Sequence, residues 1–466
     1  MTPVDVVVVG GGIAGLATAY ELSRRGASFV VLERASRAGG VILSEAIDGF
    51  TIDGGPDALL IQKPDAIALC RELGLGDRLV STTPPRIAYI QRGGRLHALP
   101  AASVLGIPTR VGPFLRTSLF SWAGKLRMGA ELFVPPKRDE ADEAIGAFIR
   151  RRFGDEAVTY LAEPLLAGIH AGDVDRLSVR ALFPRLVDAE RTHGSLLRAF
   201  RMRNPQSAIG NTDGAFKSLP GGLSEMVRAL VAALGEPQIR LNSAAEAITG
   251  RGPFVLRTSR GESIEARAIV VATPAYAAAA LLRDRDEELA RLADGIPYAS
   301  AATVALAFER RHVRHSLVGS GFVVPRVEDT GILAASWLSS KWPNRAPDGR
   351  VLMRAFLGGA RDPAALERSD TELVQTSLAA LRPLLGIDHD PLFTRIYRWD
   401  RGNAQHEVGH LDRMAAIDRA LTRHPGLFVT GSGFRGVGIP DCVADARKTG
   451  AQVSSWLGAN NLKSEI

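Results

Sequence analysis

A glycine-rich turn near the start of the chain has the residue types and spacing that hold a dinucleotide by its pyrophosphate. Gly10, Gly12 and Gly15 follow a run of four valines at residues 6–9. Gly10 permits a tight turn, Gly12 lets backbone N–H groups approach phosphate oxygens, and Gly15 allows the following helix to pack closely on the strand. The positive N-terminus of that helix, predicted at about residues 13–25, would face the diphosphate.

An acidic residue, Glu33, ends the next apolar run at residues 29–32 and lies 18 positions after Gly15. A carboxylate at this point accepts hydrogen bonds from ribose hydroxyls and repels a 2′-phosphate, which disfavours NADP. Strand, turn, helix and acid all have the order that the motif requires. We therefore predict a dinucleotide cofactor, with NAD and FAD both open on these residues alone.

The composition is that of a globular protein, with 46% hydrophobic and 23% charged residues. The length of 466 residues predicts two or three domains. Only seven of the 57 basic residues are lysines, and the formal net charge is +7. This arginine-rich balance fits genome composition, or an attraction to anionic lipids or carboxylated ligands. A nucleic-acid partner is not expected, because no basic run contains interleaved aromatic residues.

Cys70 and Cys442 are the two cysteines, which predicts a reducing compartment and neither a zinc site nor a disulfide framework. The first predicted strand begins a few residues after Met1, so we expect no signal peptide. The chain has no apolar segment of the length that spans a bilayer. These features predict a cytoplasmic protein without a metal.

The coarse pattern places nucleotide-binding elements at both ends of the chain. Strands are predicted at residues 239–241, 254–257, 268–272 and 426–431, and helices at 224–234, 370–385 and about 441–457. Residues 101–203 have a helical character, whereas residues 300–360 alternate as strands do. One domain assembled from both termini explains this order better than independent domains in a row.

These motifs together resemble the flavin-containing amine oxidase superfamily. The resemblance rests on the N-terminal motif with residues 37–40, the strand at 270–274 and the loop at 431–441. It implies FAD, with the last loop placing a helix N-terminus at the pyrimidine side of the flavin. The cofactor-binding residues that it implies are Gly10, Gly11, Gly12, Ile13, Ala14, Gly15, Glu33, Arg34, Gly39, Gly40, Gly54, Gly55, Pro56, Asp57, Ala245, Trp399, Val437, Gly438 and Ile439.

Within that superfamily, three segments are similar to the oxygen-dependent porphyrinogen oxidases of haem biosynthesis. They are residues 86–100, residues 168–178, and residues 409–411 near Gln405. The resemblance implies hydride transfer from a porphyrinogen methylene bridge to FAD, reoxidation by O2 to hydrogen peroxide, and three such cycles. The implied substrate is protoporphyrinogen IX or coproporphyrinogen III.

The implied fold is α/β, with a Rossmann-type FAD-binding domain of the amine oxidase type, a mixed-sheet substrate domain and a helical, membrane-facing insertion. Residues 1–85, 206–284 and 416–466 would form the FAD-binding domain. Residues 86–205 would form the approach to the substrate and the insertion, and residues 285–415 the substrate domain. A homodimer is compatible with this plan.

The resemblance also points to substrate contacts. Arg86 would bind a propionate, because a guanidinium matches a carboxylate bidentately; its alternative is a solvated surface arginine. The residues that match the macrocycle pocket are Leu165, Gly168, Gly321, Val323 and Phe356, each of which could equally be plain core. His170 and His410 are acid–base candidates with a structural alternative, so no catalytic residue is assigned.

Three positions depart from the family pattern. Ser320 stands where an aromatic residue is common, and His406 where a tyrosine is usual. Asp57 stands where asparagine or arginine is more familiar, and an acid facing the pocket would repel a substrate carboxylate. These departures bear on the substrate rather than on the cofactor.

Residues 101–134 alternate between large apolar and basic residues. They fit an interfacial surface on the cytoplasmic face of the inner membrane, and equally ordinary amphipathic packing. The alternative functions are a flavin amine oxidase or carotenoid desaturase, or a flavin-binding scaffold without turnover. The loop at 431–438 supplies Phe434 but neither tyrosine nor tryptophan, and Lys341 is the only lysine of the central substrate region, which disfavours an amine substrate.

Overall fold

A computed structural model describes residues 3–100, 103–104, 107–108, 111–202 and 214–461. Two large sheets dominate these residues. The α/β expectation is confirmed, because one sheet is largely parallel and helix-flanked and the other is mixed. The predicted domain boundaries stay a prediction.

The first sheet is built on a buried strand from the valine run. Val4–Val9 lies parallel between Phe29–Leu32 and Ser263–Val271. Leu427–Val429 pairs in parallel with the second half of Ser263–Val271. The remaining strands are Ile239–Arg240 on one edge and the antiparallel Phe254–Thr258 and Ala245–Thr249 on the other. Runs of valine and isoleucine suit strands that are buried on both faces.

Helices from opposite ends of the chain cover this sheet. Ile13–Arg24 packs along Ile439–Asn461. Ile13–Arg24 also contacts Ser224–Leu234, and Ile439–Asn461 also contacts Asp65–Glu72. On the other face lie Ala275–Leu282, Glu287–Asp294 and His410–Leu421. Residues 427–461 therefore add a strand and a covering helix to the first sheet.

The second sheet has seven strands among the described residues. Their order is Phe393–Ala404, Tyr298–Glu309, Arg350–Gly358, Ala334–Ser336, Gly321–Val323, Ala88–Arg92 and Arg95–Ala98. Asp370–Leu385, which begins with a Ser369–Glu372 capping box, packs on this sheet. The small elements that join the two sheets are the hairpin Ser44–Ile47 and Phe50–Asp53, and the strands Leu59–Leu60, Val80–Ser81 and Phe216–Ser218.

A helical layer covers one side of the second sheet. Its α-helices are Val111–Arg116, Trp122–Gly129, Ile145–Phe153, Asp155–Ala157, Glu163–His170, Val179–Leu182, Pro184–His193 and Leu196–Met202. At its centre, Arg152 is paired with Glu131, and both side chains are fully buried. The helical character predicted for residues 101–203 is confirmed from residue 111 onward. Before it stand two short strands, Ser103–Val104 and Ile107–Pro108, and residues 101–102, 105–106 and 109–110 lie outside the described residues.

Candidate active site

The first glycine turn has the backbone geometry that a diphosphate needs. Gly10 has a φ of +111°, which favours glycine, and a Cβ on Gly15 would lie 1.8 Å from the Gly10 carbonyl oxygen. A Cβ on Gly12 would meet nothing within 4 Å, so open space lies in front of this residue. Gly12 is also the N-cap of Ile13–Arg24 and offers no side-chain cap to its N–H groups. The N–H groups of Ile13, Ala14 and Gly15 therefore fit an anionic group.

Glu33 braces this turn. Its Oε2 accepts a hydrogen bond from the backbone N–H of Gly11 at 2.7 Å, and its Oε1 accepts one from Ala35 at 2.8 Å. A carboxylate has about four acceptor sites, so ribose hydroxyls can still bind. The sequence predicted the ribose contact and missed the bracing of Gly11. Only glycine fits at position 11, since a Cβ there would lie 2.9 Å from the Glu33 Cβ, and this agrees with the close contact between Gly11 and Glu33.

The neighbouring predicted cofactor residues lie around this turn. Gly39 donates its N–H to the Gly11 carbonyl at 2.7 Å, and a Cβ on Gly40 would lie 3.3 Å from the Gly12 Cα. Ala245 begins a strand just after Ser243, whose N–H donates to the Glu33 carbonyl at 2.8 Å. Arg34 is exposed beside Glu33.

A second glycine turn joins the two sheets. A Cβ on Gly54 would lie 2.5 Å from the Tyr397 ring, and a Cβ on Gly55 would lie 1.9 Å from the Val41 carbonyl oxygen. Trp399 donates its indole N–H to the Gly54 carbonyl at 2.9 Å. The predicted residues Gly54, Gly55, Pro56 and Trp399 therefore come together between the two large sheets.

Asp57, which ends this turn, is buried among three donors. It accepts hydrogen bonds from Lys341 Nζ at 2.7 Å, Trp342 Nε1 at 2.8 Å and Arg354 Nη2 at 3.0 Å. Arg354 Nη1 also donates to the Gly55 carbonyl at 2.6 Å. Burial alone would raise the pKa of Asp57, but Lys341 and Arg354 hold it well below its usual range. Lys341 and Arg354 thus neutralise the negative charge of Asp57, the acid that departs from the family pattern. Asp57 therefore adds no net negative charge to the site.

Four of the predicted substrate residues come from adjacent elements. Val323 pairs with Ala334, and Ala334 pairs in turn with Phe356. A Cβ on Gly168 would lie 3.1 Å from Val323 Cγ1. Leu165 lies one turn before Gly168 on the helix Glu163–His170.

Two further observations extend this cluster. Gly321 has a φ of +132°, and a Cβ there would lie 2.2 Å from the Ala335 carbonyl oxygen. The packing of the neighbouring strand therefore requires glycine at this position, whether or not Gly321 contacts a substrate. The Arg354 guanidinium lies 4.6 Å from the centre of the Phe356 ring. The apolar cluster of Gly168, Val323 and Phe356 therefore adjoins the charged cluster around Asp57.

Arg86 lies just before the start of a strand of the same sheet. It is exposed, two residues before the strand Ala88–Arg92, and Ala88 is opposite Gly321. Its Nε donates to the Thr82 carbonyl at 3.1 Å and to Thr82 Oγ1 at 3.0 Å. Arg86 thus stands at the end of the pocket strands and not inside the apolar cluster.

The histidine candidates differ in their surroundings. The Nε2–H of His410 donates to the Phe434 carbonyl at 2.8 Å, and that of His406 donates to the Ser432 carbonyl at 3.0 Å. Both therefore hold the loop at residues 431–438, which supports a structural role for His410. His170 lies near the ion pair of Lys63 and Asp441, and burial together with Lys63 lowers its pKa to about 4.

The C-terminal loop leads into the long final helix. Val437 and Gly438 precede Ile439–Asn461, and the Gly438 carbonyl accepts the N–H of Cys442 at 2.9 Å. Burial raises the pKa of the Cys442 thiol to about 12, so this residue is an unreactive part of the core. The loop connects the first sheet to the helix that packs on Ile13–Arg24, which places it beside the first glycine turn.

Comparison with known proteins shows the family to which the chain belongs. The family model for flavin containing amine oxidoreductases matches residues 13–454. The chain is 34% identical to the coproporphyrinogen III oxidase of Bacillus subtilis, over 97% of this chain and 98% of that protein. It is 29% identical to protoporphyrinogen oxidase 1 from the chloroplast of Arabidopsis thaliana, over 97% and 88% of the two chains. A crystal structure from Exiguobacterium superposes with a TM-score of 0.86 at 33% identity, over 98% and 99% of the chains.

Proposed function

Because the chain belongs to the family of flavin containing amine oxidoreductases, we propose that it is an FAD-dependent porphyrinogen oxidase that uses O2 as electron acceptor. The prediction of FAD is confirmed by this membership. We propose coproporphyrinogen III as the substrate, since the bacterial relative of that name is more similar to this chain than the plant protoporphyrinogen oxidase is.

One structural observation carries the proposal: an apolar cluster that suits a flat macrocycle adjoins a charged cluster with a net positive charge. Gly168, Val323 and Phe356 supply the apolar part, and Lys341 and Arg354 outnumber Asp57 in the charged part. Apolar walls bind the ring and exclude water, while cations attract the carboxylates of a porphyrinogen.

The chain's residues act by positioning. Bound FAD supplies the hydride acceptor. The uncapped N–H groups after Gly12 hold the diphosphate, and Glu33 fixes the turn that presents them. Arg354 and Trp399 fix the second glycine turn through the carbonyls of Gly55 and Gly54. Arg86, just before the strand Ala88–Arg92, binds a propionate.

The direct test offers coproporphyrinogen III, protoporphyrinogen IX and benzylamine to the FAD-loaded protein under air. Porphyrin fluorescence and peroxide are followed together. We expect about three peroxides for each porphyrin formed, faster turnover of coproporphyrinogen III, and neither product without O2. Peroxide from benzylamine alone would favour the amine oxidase alternative, and a lack of peroxide with either porphyrinogen would contradict the proposal.

We further propose that the helical layer contacts a membrane surface. Trp122 is 67% exposed, Leu126 74% and Phe133 85%. The first two are neighbours on Trp122–Gly129, and Phe133 ends the 3-10 turn that continues this helix. Arg116 and Arg127 are also exposed here, as expected for contact with anionic headgroups. Among the described residues, no helix is long and apolar enough to cross a bilayer.

Vesicle flotation tests the membrane contact. We expect co-flotation with vesicles that contain phosphatidylglycerol, and its loss in a triple variant with serine at residues 122, 126 and 133. Val327→Ser is the matched control, because Val327 is 64% exposed in another part of the chain. Equal flotation of the triple variant and the control would contradict this proposal.

A further inference from the structure

Two histidines and one aspartate converge at the end of the substrate sheet that lies away from the active site. His312 Nδ1 lies 3.1 Å from Asp388 Oδ1, and His389 Nδ1 lies 2.9 Å from the same oxygen. The two imidazole rings are 3.5 Å apart between centroids. We propose that His312, Asp388 and His389 form a binding site for a divalent transition metal of the zinc type.

The ligand set suits such a metal. Imidazole nitrogens with one carboxylate favour Zn2+, Co2+, Ni2+ or Cu2+, whereas Mg2+ and Ca2+ prefer oxygen ligands. One ligand atom from each residue lies within 4.8 Å of the others. Bonds of about 2.0–2.1 Å in a tetrahedral site separate ligand atoms by roughly 3.3 Å, so the contacts at 2.9 and 3.1 Å need only a small expansion.

The backbone holds two of the ligands at this spacing. His312 follows the strand Tyr298–Glu309, and Asp388 follows the helix Asp370–Leu385. Val313 and Ile387, the buried neighbours of these ligands, form a bridge between the two segments. The N–H of Asp388 also donates to the His312 carbonyl at 3.3 Å. Binding therefore costs little backbone reorganisation.

The third ligand and the open coordination position face solvent. His389 is 61% exposed, and Asp388 is 43% exposed. Without a metal, the Asp388 carboxylate accepts the Nδ1–H groups of both imidazoles. A metal bound at the two Nδ1 atoms requires each neutral ring to carry its proton on Nε2 instead. Arg311 Nε lies 3.3 Å from His312 Nε2, on the side of the ring away from Asp388. The positive charge of Arg311 weakens metal binding here, so we expect the site to bind the metal with moderate affinity.

The test is zinc titration of the FAD-loaded protein without a polyhistidine tag, by calorimetry, with Co2+ absorption as a second readout. We expect one equivalent to bind, and a loss of at least about tenfold in affinity in His312→Ala and His389→Ala. The thermal midpoint of the wild type should rise with zinc, and that of His389→Ala should not.

His424→Ala is the matched control, because His424 contacts Asp286 at 2.8 Å without a second imidazole. It should bind zinc as the wild type does. Since His389 is exposed, its variant keeps the fold, which the retained flavin absorbance would verify. Binding that is equal in the wild type and in His389→Ala, or no binding at millimolar zinc, would overturn the proposal.

Discussion

The imidazole ring of His406 lies flat on that of His410, with the centroids 3.8 Å apart and the ring planes at 11°. Each ring also donates to a carbonyl of the loop at residues 431–438. Both side chains are buried, with 4% exposure. The stacked pair His406–His410, called the histidine clamp below, thus holds the loop at residues 431–438 in place. One of its two members, His406, departs from the family pattern.

The histidine clamp predicts a pH dependence of stability. Burial lowers the pKa of His406 to about 3 and lowers that of His410 as well. The unfolded chain therefore binds these protons first, and the stability that neutral histidines provide above about pH 6.5 is lost as the pH falls. We expect the free energy of unfolding to drop by roughly 1.4 kcal/mol per pH unit between about pH 6 and 4 because of His406, and His410 adds to this drop.

Urea unfolding of the FAD-loaded protein at several pH values measures this slope. His406→Tyr, which introduces the residue usual in the family, should flatten the slope and retain FAD. His193→Ala, an exposed histidine, is the control and should leave the slope unchanged. An unaltered slope in His406→Tyr would show that the clamp does not control acid stability.

Glu33→Gln should weaken FAD retention. The change removes a charged acceptor from the Gly11 N–H, and such hydrogen bonds contribute about 1.5–3 kcal/mol. We expect the dissociation constant of FAD to rise by at least about tenfold, with turnover at saturating FAD little changed. Flavin fluorescence after dialysis measures it, with Glu262→Gln as a control on the same sheet domain. Full occupancy in Glu33→Gln would rule out the bracing role.

Arg86→Ala should raise the KM for the porphyrinogen by about tenfold, because one charge-assisted contact to a propionate is lost. The flavin content should not change, since Arg86 precedes a strand of the second sheet and lies outside the first glycine turn. Arg95→Ala, on the neighbouring strand, is the matched control. An unchanged KM would make Arg86 an ordinary surface arginine.

Asp57→Ala should destabilise the protein strongly. It leaves the buried Arg354 and the partly buried Lys341 without their shared anion, and breaking a buried ion pair costs about 3–5 kcal/mol. Asp57→Asn should cost less, because its amide oxygen still accepts a hydrogen bond. The midpoints of thermal unfolding of both variants measure this effect. Equal midpoints for Asp57→Ala and the wild type would show that the contacts of Asp57 with Lys341 and Arg354 do not stabilise the fold.

Local patterns predicted much of the fold. The helices Ser224–Leu234 and Asp370–Leu385 have the predicted bounds, and the first helix ends one residue before its predicted end. Glycine spacing and apolar periodicity are properties of neighbouring residues, so they can be read without the tertiary structure. The predicted strands at 239–241 and 254–257 differ from the observed strands by one residue each.

The charged cluster could not be predicted in the same way. Asp57 contacts Lys341 and Arg354 across more than 280 residues, and only the pairing of strands brings them together. A signal did exist: Arg354 interrupts the apolar strand Arg350–Gly358, and an arginine inside a buried strand requires an anion. The histidine clamp likewise depends on a loop that lies 26 residues beyond His406 along the chain.

The position of Ser263–Val271 between Val4–Val9 and Leu427–Val429 sets the order in which the protein can mature. During synthesis, the glycine turn is made more than 400 residues before Ile439–Asn461, the helix on which its own helix packs. Closing contacts over such sequence distances is slow. The first strands therefore stay incompletely covered until residues 427–461 have been made, and we expect cofactor loading to follow that event.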